Sequence, residues 1–95
     1  MDNIKLISKD NFYALYKNTR YMTYSYRCSH NSDIAFCEYS SPERLETEIK
    51  SHIKQKYEHI KVIEFMGDNW VKEEKQRLTS LFRLLEVLKN DSNNH

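Results

Sequence analysis

Residues 21–39, "YMTYSYRCSHNSDIAFCEY", carry the reading on which the fold turns. Tyrosine, threonine and other β-favouring residues alternate on either side of "SHNSD", where Asn31 tolerates a left-handed backbone. The stretch therefore reads as a β-hairpin. Pairing about Asn31 and Ser32 sets Cys28 opposite Ala35, Tyr26 opposite Cys37 and Tyr24 opposite Tyr39. One face then holds Met22, Tyr24, Tyr26, Cys28, Ala35, Cys37 and Tyr39, and is expected to be the core. The opposite face holds Tyr21, Thr23, Ser25, Arg27, Ile34, Phe36 and Glu38, a polar and cationic surround for one apolar pair.

Before the hairpin, "NIKLIS" (3–8) reads as a short strand. Ser8 then serves as N-cap of a helix over "KDNFYALYKN" (9–18), in which Phe12, Leu15 and Tyr16 share a face. After it, "SSPERLETEIKSHIKQKYEHI" (40–60) is a strongly signalled helix. Ser41 caps it, Pro42 suits its first position, and Leu45, Ile49, Ile53 and Tyr57 form its stripe. "IKVIEFM" (60–66) has β-branched and aromatic residues on both parities and reads as a central strand. Gly67 turns the chain into a long amphipathic helix, 69–90, with a stripe of Leu78, Leu81, Phe82, Leu85 and Leu88 preceded by Trp70 and Val71. Leu84 and Val87 fall to one side of that stripe. The expected fold is α+β: a small antiparallel sheet in β-α-β-β-α-β order, ferredoxin-like or a three-stranded variant. Its helices lie on one face, with the long C-terminal helix appended. Residues 1–90 form one domain and 91–95 a disordered tail.

Composition narrows the classes of function. A 95-residue chain with a net charge of +1 has no global field that would drive it onto nucleic acid or an acidic membrane. No apolar run of signal or membrane-span length occurs, so a complete, cytoplasmic protein without membrane association is expected. Heavy use of Asn, Lys, Ile and Tyr fits an AT-rich genome, and small genes of that kind are common in phages and mobile elements. Two cysteines define no disulfide framework.

At "DIAFCEYSSPERLETEI" the chain resembles the second half of an RNA-recognition motif, whose third strand carries an aromatic octapeptide followed by a helix. Ala35, Phe36 and Tyr39 agree with that pattern, and "SKDNFYALYKNTRYMTYSY" resembles the family's first helix and second strand in spacing. The resemblance implies base stacking at Ile34 and Phe36. Ser32, Asp33 and Ile34 depart from the motif's basic residue, glycine and ring, and Lys5 stands where the first strand has its other ring. It is a likeness of fold, and membership does not follow from it.

Chemical constellations are sparse. Cys28, Cys37, His52 and His59 match no zinc-ligand spacing, so neither metal nor cofactor is expected. His30 with Asp33 reads as a turn. An enzymatic alternative would be a small metal-independent nuclease using His and Tyr. The lysines of each helix follow its glutamates, as the helix dipole favours, with Glu46–Lys50 and Glu73–Arg77 as i,i+4 pairs. Tyr13 and Tyr21 are interface candidates. The residues point to a non-enzymatic protein-binding module, in the manner of a phage or mobile-element inhibitor that occludes a host defence protein. Partner-binding residues are expected at Tyr21, Arg27, Ile34 and Phe36 on the open sheet face. Leu84 and Val87 on the last helix are a second candidate, and a homodimer could form through that helix. The alternative is single-stranded RNA or DNA binding through Lys5, Arg27, Phe36 and Lys61, which would weaken steeply with salt.

Overall fold

The computed structural model describes residues 3–29 and 38–93, apart from the side chain of Asp68. Three strands come first: β1 (Ile4–Lys9), β2 (Tyr13–Asn18) and β3 (Thr23–Cys28). Two long helices follow, α1 (Pro42–Ile63) and α2 (Asp68–Asn93). The strands form an antiparallel meander in the order β1-β2-β3, and α1 and α2 make a helical hairpin packed on it. Among the described residues the order is β-β-β-α-α, which keeps the α+β class but replaces the expected ferredoxin-like alternation. No helix among these residues is long and apolar enough to cross a membrane.

Two turns explain the meander. Asp10 Oδ1 accepts from the backbone N–H of Phe12 (2.8 Å) and Tyr13 (3.0 Å), folding β1 onto β2. Asn18 Oδ1 accepts from the N–H of Arg20 (3.0 Å), and Met22 takes a left-handed φ of 56° before β3 begins. The helix expected over residues 9–18 is therefore a turn followed by β2. Of its four buried residues, Tyr13, Leu15 and Lys17 alternate toward the helices and Ala14 lies on the other parity. Lys17 hides that alternation in the sequence, because it is a lysine at a core-facing position. Its ammonium ends 3.1 Å from Asp91 and lies over the Tyr24 ring.

The strand expected at 60–66 is also absent. Ile60 and Ile63 extend the stripe of Leu45, Ile49 and Ile53 on α1, and all five are buried. Ser41 caps α1 as expected, its hydroxyl accepting from the N–H of Arg44, with Pro42 in the first turn. Gly67 has φ +128° at the turn between the helices, where a side chain would be strained. On α2, Leu78, Leu81, Leu84 and Leu88 are buried, with Leu85 and Val87 partly buried against the same core. The stripe is wider than one contact needs because α2 touches both α1 and the sheet. Leu84 is thus a core residue with Val87 packed partly buried against it, whereas Phe82, expected in the stripe, is exposed. The tail expected from residue 91 is helical through Asn93. Asp91 there accepts hydrogen bonds from Tyr24 Oη and Lys17 Nζ.

Of the hairpin in residues 21–39, the first strand is present and the segment 30–37 lies outside the described residues. Tyr24 pairs with Ser40 through two backbone bonds of 2.7 and 2.8 Å, one residue away from the expected partner Tyr39. Inward orientation holds for Tyr24, which is fully buried, and for Tyr26, which packs partly against the core. Cys28 is exposed at the end of β3 and does not enter the core. Tyr13, expected at an interface, is buried. Tyr57, expected in the core, is half exposed because it lies off the α1 stripe.

Candidate functional site

The helical hairpin is longer than the sheet it covers. At 1.5 Å per residue, 22 and 26 residues give helices of roughly 33 and 39 Å, whereas six-residue strands span about 20 Å. The chain is accordingly elongated, 48 × 25 × 18 Å. Side-chain contacts locate the sheet along the helices. Asp91 meets Lys17 and Tyr24 at one end of α2, and Ser80 donates to Asp10 Oδ2 (2.6 Å) further back. The Arg77 guanidinium sits 5.1 Å from the centre of the Phe12 ring, near the β1–β2 turn. On α1 the last sheet contact in this series is His52, whose Nδ1 is 3.0 Å from Tyr26 Oη and whose ring meets Tyr13 edge-on.

The helix strips that carry these contacts continue past them. Lys56, His59 and Ile63 follow His52 at i+4, i+7 and i+11, while Glu74 and Trp70 precede Arg77 by three and seven. They converge on a cavity of 340 Å³ lined by His59, Ile63, Met66, Trp70 and Glu74. Glu74 Oε2 holds Lys56 Nζ at 2.9 Å and His59 Nδ1 at 3.1 Å, and Oε1 lies 3.4 Å from Arg77 Nε. Burial pushes the Glu74 carboxyl up, but the bonds from Lys56 and His59 outweigh it and hold the group below its ordinary value. The carboxylate is thereby fixed between the two helices beyond the sheet. Met66 and Trp70, which line the cavity, are 71% and 68% exposed, and their chain neighbours Val62 and Phe65 are 69% and 92% exposed. Four large apolar side chains at one end of a small chain form the most exposed apolar surface of the described residues. Tyr57 and Phe82, in an edge-to-face pair, add half-exposed rings further along the hairpin.

The residues singled out in the sequence are dispersed. Tyr21 is exposed in the β2–β3 turn with the Arg20 guanidinium over its ring. Arg27 is partly buried at the other end of β3, opposite Ala14. Leu84 is buried in the core, so it offers no surface to a partner, and Val87 packs partly buried against the same core. Lys5 is exposed on β1 at the sheet edge, and Lys61 is exposed near the end of α1 beyond the sheet. Ile34 and Phe36 lie outside the described residues. Lys5, Arg27 and Lys61 therefore do not form one basic face. The i,i+4 pairs expected from the sequence are present, at 3.9 Å for Lys50–Glu46 and 2.7 Å for Arg77–Glu73.

Titratable groups near the sheet serve packing. Burial pushes Tyr26 up to about 12 and raises Tyr13 above its ordinary value. Burial, with Lys56 nearby, lowers His52 and favours a neutral ring that can accept from the Tyr26 hydroxyl. Among the described residues no three His, Cys, Asp or Glu side chains are grouped to hold a metal ion.

Sequence reasoning missed the tip residues because it placed 60–66 in a covered strand. The available signal was periodicity: once Ile60 and Ile63 continue the α1 stripe, Val62 falls off it, and Phe65 and Met66 come in the turn after the helix. No family model matches the chain, and comparison with curated proteins and with solved structures found no match.

Proposed function

We propose that the chain is a non-enzymatic protein-binding module whose recognition surface is the tip of the α1–α2 hairpin. The observation that carries this reading is the exposure of Val62, Phe65, Met66 and Trp70 together beyond the end of the sheet. Apolar residues scattered singly over a surface need no explanation, but a contiguous apolar patch marks an interaction site. Trp, Phe and Met are the side chains that dominate protein interfaces, and charged Lys and Glu at the margin match the polar rim of such surfaces. The Glu74 network stiffens the two helices below the patch, so little ordering is required on binding. Binding of this kind acts by occluding or bridging a partner, the mode used by an inhibitor of a host defence protein.

The test is affinity capture from a lysate of the source cell with tagged wild type, with a Phe65→Ser, Trp70→Ala double variant, and with Tyr21→Ser. Each lysate is split into nuclease-treated and untreated halves. A protein held by wild type and by Tyr21→Ser in both halves, and lost from the double variant, is the expected result. Capture that needs nucleic acid, or that ignores the tip substitutions, would overturn the proposal.

A further inference from the structure

We infer that the tip also takes a second copy of this chain, the two hairpins packing their overhanging surfaces about a two-fold axis as a four-helix cluster. The inference rests on the tip being a recognition surface, and it names an occupant. Three features favour this one. The first is area. Counting two aromatic rings, Met66 and Val62 at their observed exposures, each copy presents roughly 600 Å² of apolar surface, so a symmetric pair buries about 1,200 Å², the lower bound for a specific interface. The second is charge. The exposed rim carries Lys61, Lys72 and Lys75 against Glu58, Glu64 and Glu73, so the tip is not a block of one sign facing itself. A two-fold contact sets each rim against its own copy, where such a balance avoids like-charge repulsion. The third is access. Beyond the sheet, α1 and α2 are flanked by no strand among the described residues, and two further helices would complete a core that already contains Ile60 and Ile63.

Edge pairing through β1, another route to a dimer, is disfavoured. β1 is an edge strand with exposed Lys5 and Lys9 and a bulge between Leu6 and Ser8, features that resist strand addition.

The experiment is sedimentation equilibrium of wild type, Phe65→Ser, Phe65→Leu and Tyr21→Ser from low to high micromolar concentration, with circular dichroism confirming the fold of each. Wild type is expected to approach twice 11.5 kDa with rising concentration, and Tyr21→Ser and Phe65→Leu to do the same. Phe65→Ser should weaken association at least tenfold. A wild type that stays at 11.5 kDa throughout, or a dimer indifferent to Phe65→Ser, would overturn the inference. A monomer that still captures a partner through the tip leaves the proposed function standing. A tip-dependent dimer that captures nothing removes the foreign partner and keeps the self-contact.

Discussion

Replacing Asp91 by alanine should cost this protein about 2–3 kcal/mol, far more than a substitution in a terminal helical turn ordinarily does. The figure follows from what the carboxylate holds. Lys17 Nζ lies 3.1 Å from Oδ2, its side chain only 10% exposed, and the hydroxyl of the fully buried Tyr24 donates to the same oxygen. Deleting one partner of a fully buried charged pair costs about 3–5 kcal/mol. Asp91 is partly open to solvent, which lets water reach the abandoned ammonium and brings the cost down. With a urea dependence of about 1 kcal/mol/M for a small domain, the denaturation midpoint should fall by roughly 2–3 M. Lys17→Met in the Asp91→Ala background should recover part of this loss, because the uncompensated charge is removed. Urea titration followed by circular dichroism on the two single variants and the double variant measures the coupling. A midpoint shift under about 0.5 M for Asp91→Ala, or strictly additive losses in the double variant, would refute the reasoning.

Three further outcomes are expected. Burial raises the Asp10 carboxyl, but bonds from Ser80, Tyr13 and Phe12 outweigh it, so its folded value lies below the unfolded one; its stabilisation is complete above the unfolded value and is lost as pH falls through the folded value. Asp10→Asn should therefore flatten the acid limb of a melting-temperature profile, and an unchanged limb would count against the turn's role. Gly67→Ala, at φ +128° with nothing within 4 Å of the added methyl, should cost about 1–2 kcal/mol through backbone strain alone, as read from thermal melts. Trp70, the only tryptophan, is 68% exposed, so its fluorescence should peak as a hydrated indole in dilute solution and shift to the blue when the tip is covered. Trp70→Ala should alter stability by no more than about 0.5 kcal/mol.

The sequence was legible where local chemistry and burial agreed. Ser41, Pro42 and the spacing of Leu45, Ile49 and Ile53 announce α1, and the structure follows them. Tyr24 was legible as an inward ring for the same reason. Misreadings fell where a tertiary partner overrides a local pattern. Lys17 looks like the solvent side of a helix until Asp91, 74 residues away, is set against it. Phe12, Leu15 and Tyr16 share a helical spacing, yet the carboxylate of Asp10 makes the turn that starts β2. The apolar run at 60–66 suggested cover on both sides, and only the length of the helical hairpin relative to the sheet reveals that Phe65 and Met66 have none. The candidate site was therefore present in the sequence as residues but not as a surface.

The clasp between Lys17 and Asp91 also has a consequence for synthesis. A ribosome delivers β1, β2 and β3 first, and nothing among them can neutralise the ammonium on β2 or roof over Leu15 and Tyr24. Helix α1 can cover part of the meander as it emerges, but the ammonium lacks its carboxylate until Asp91, 74 residues further on, has been made. Completion of the fold is then expected only after translation of residue 91, and the partly covered meander is the species most in need of a chaperone.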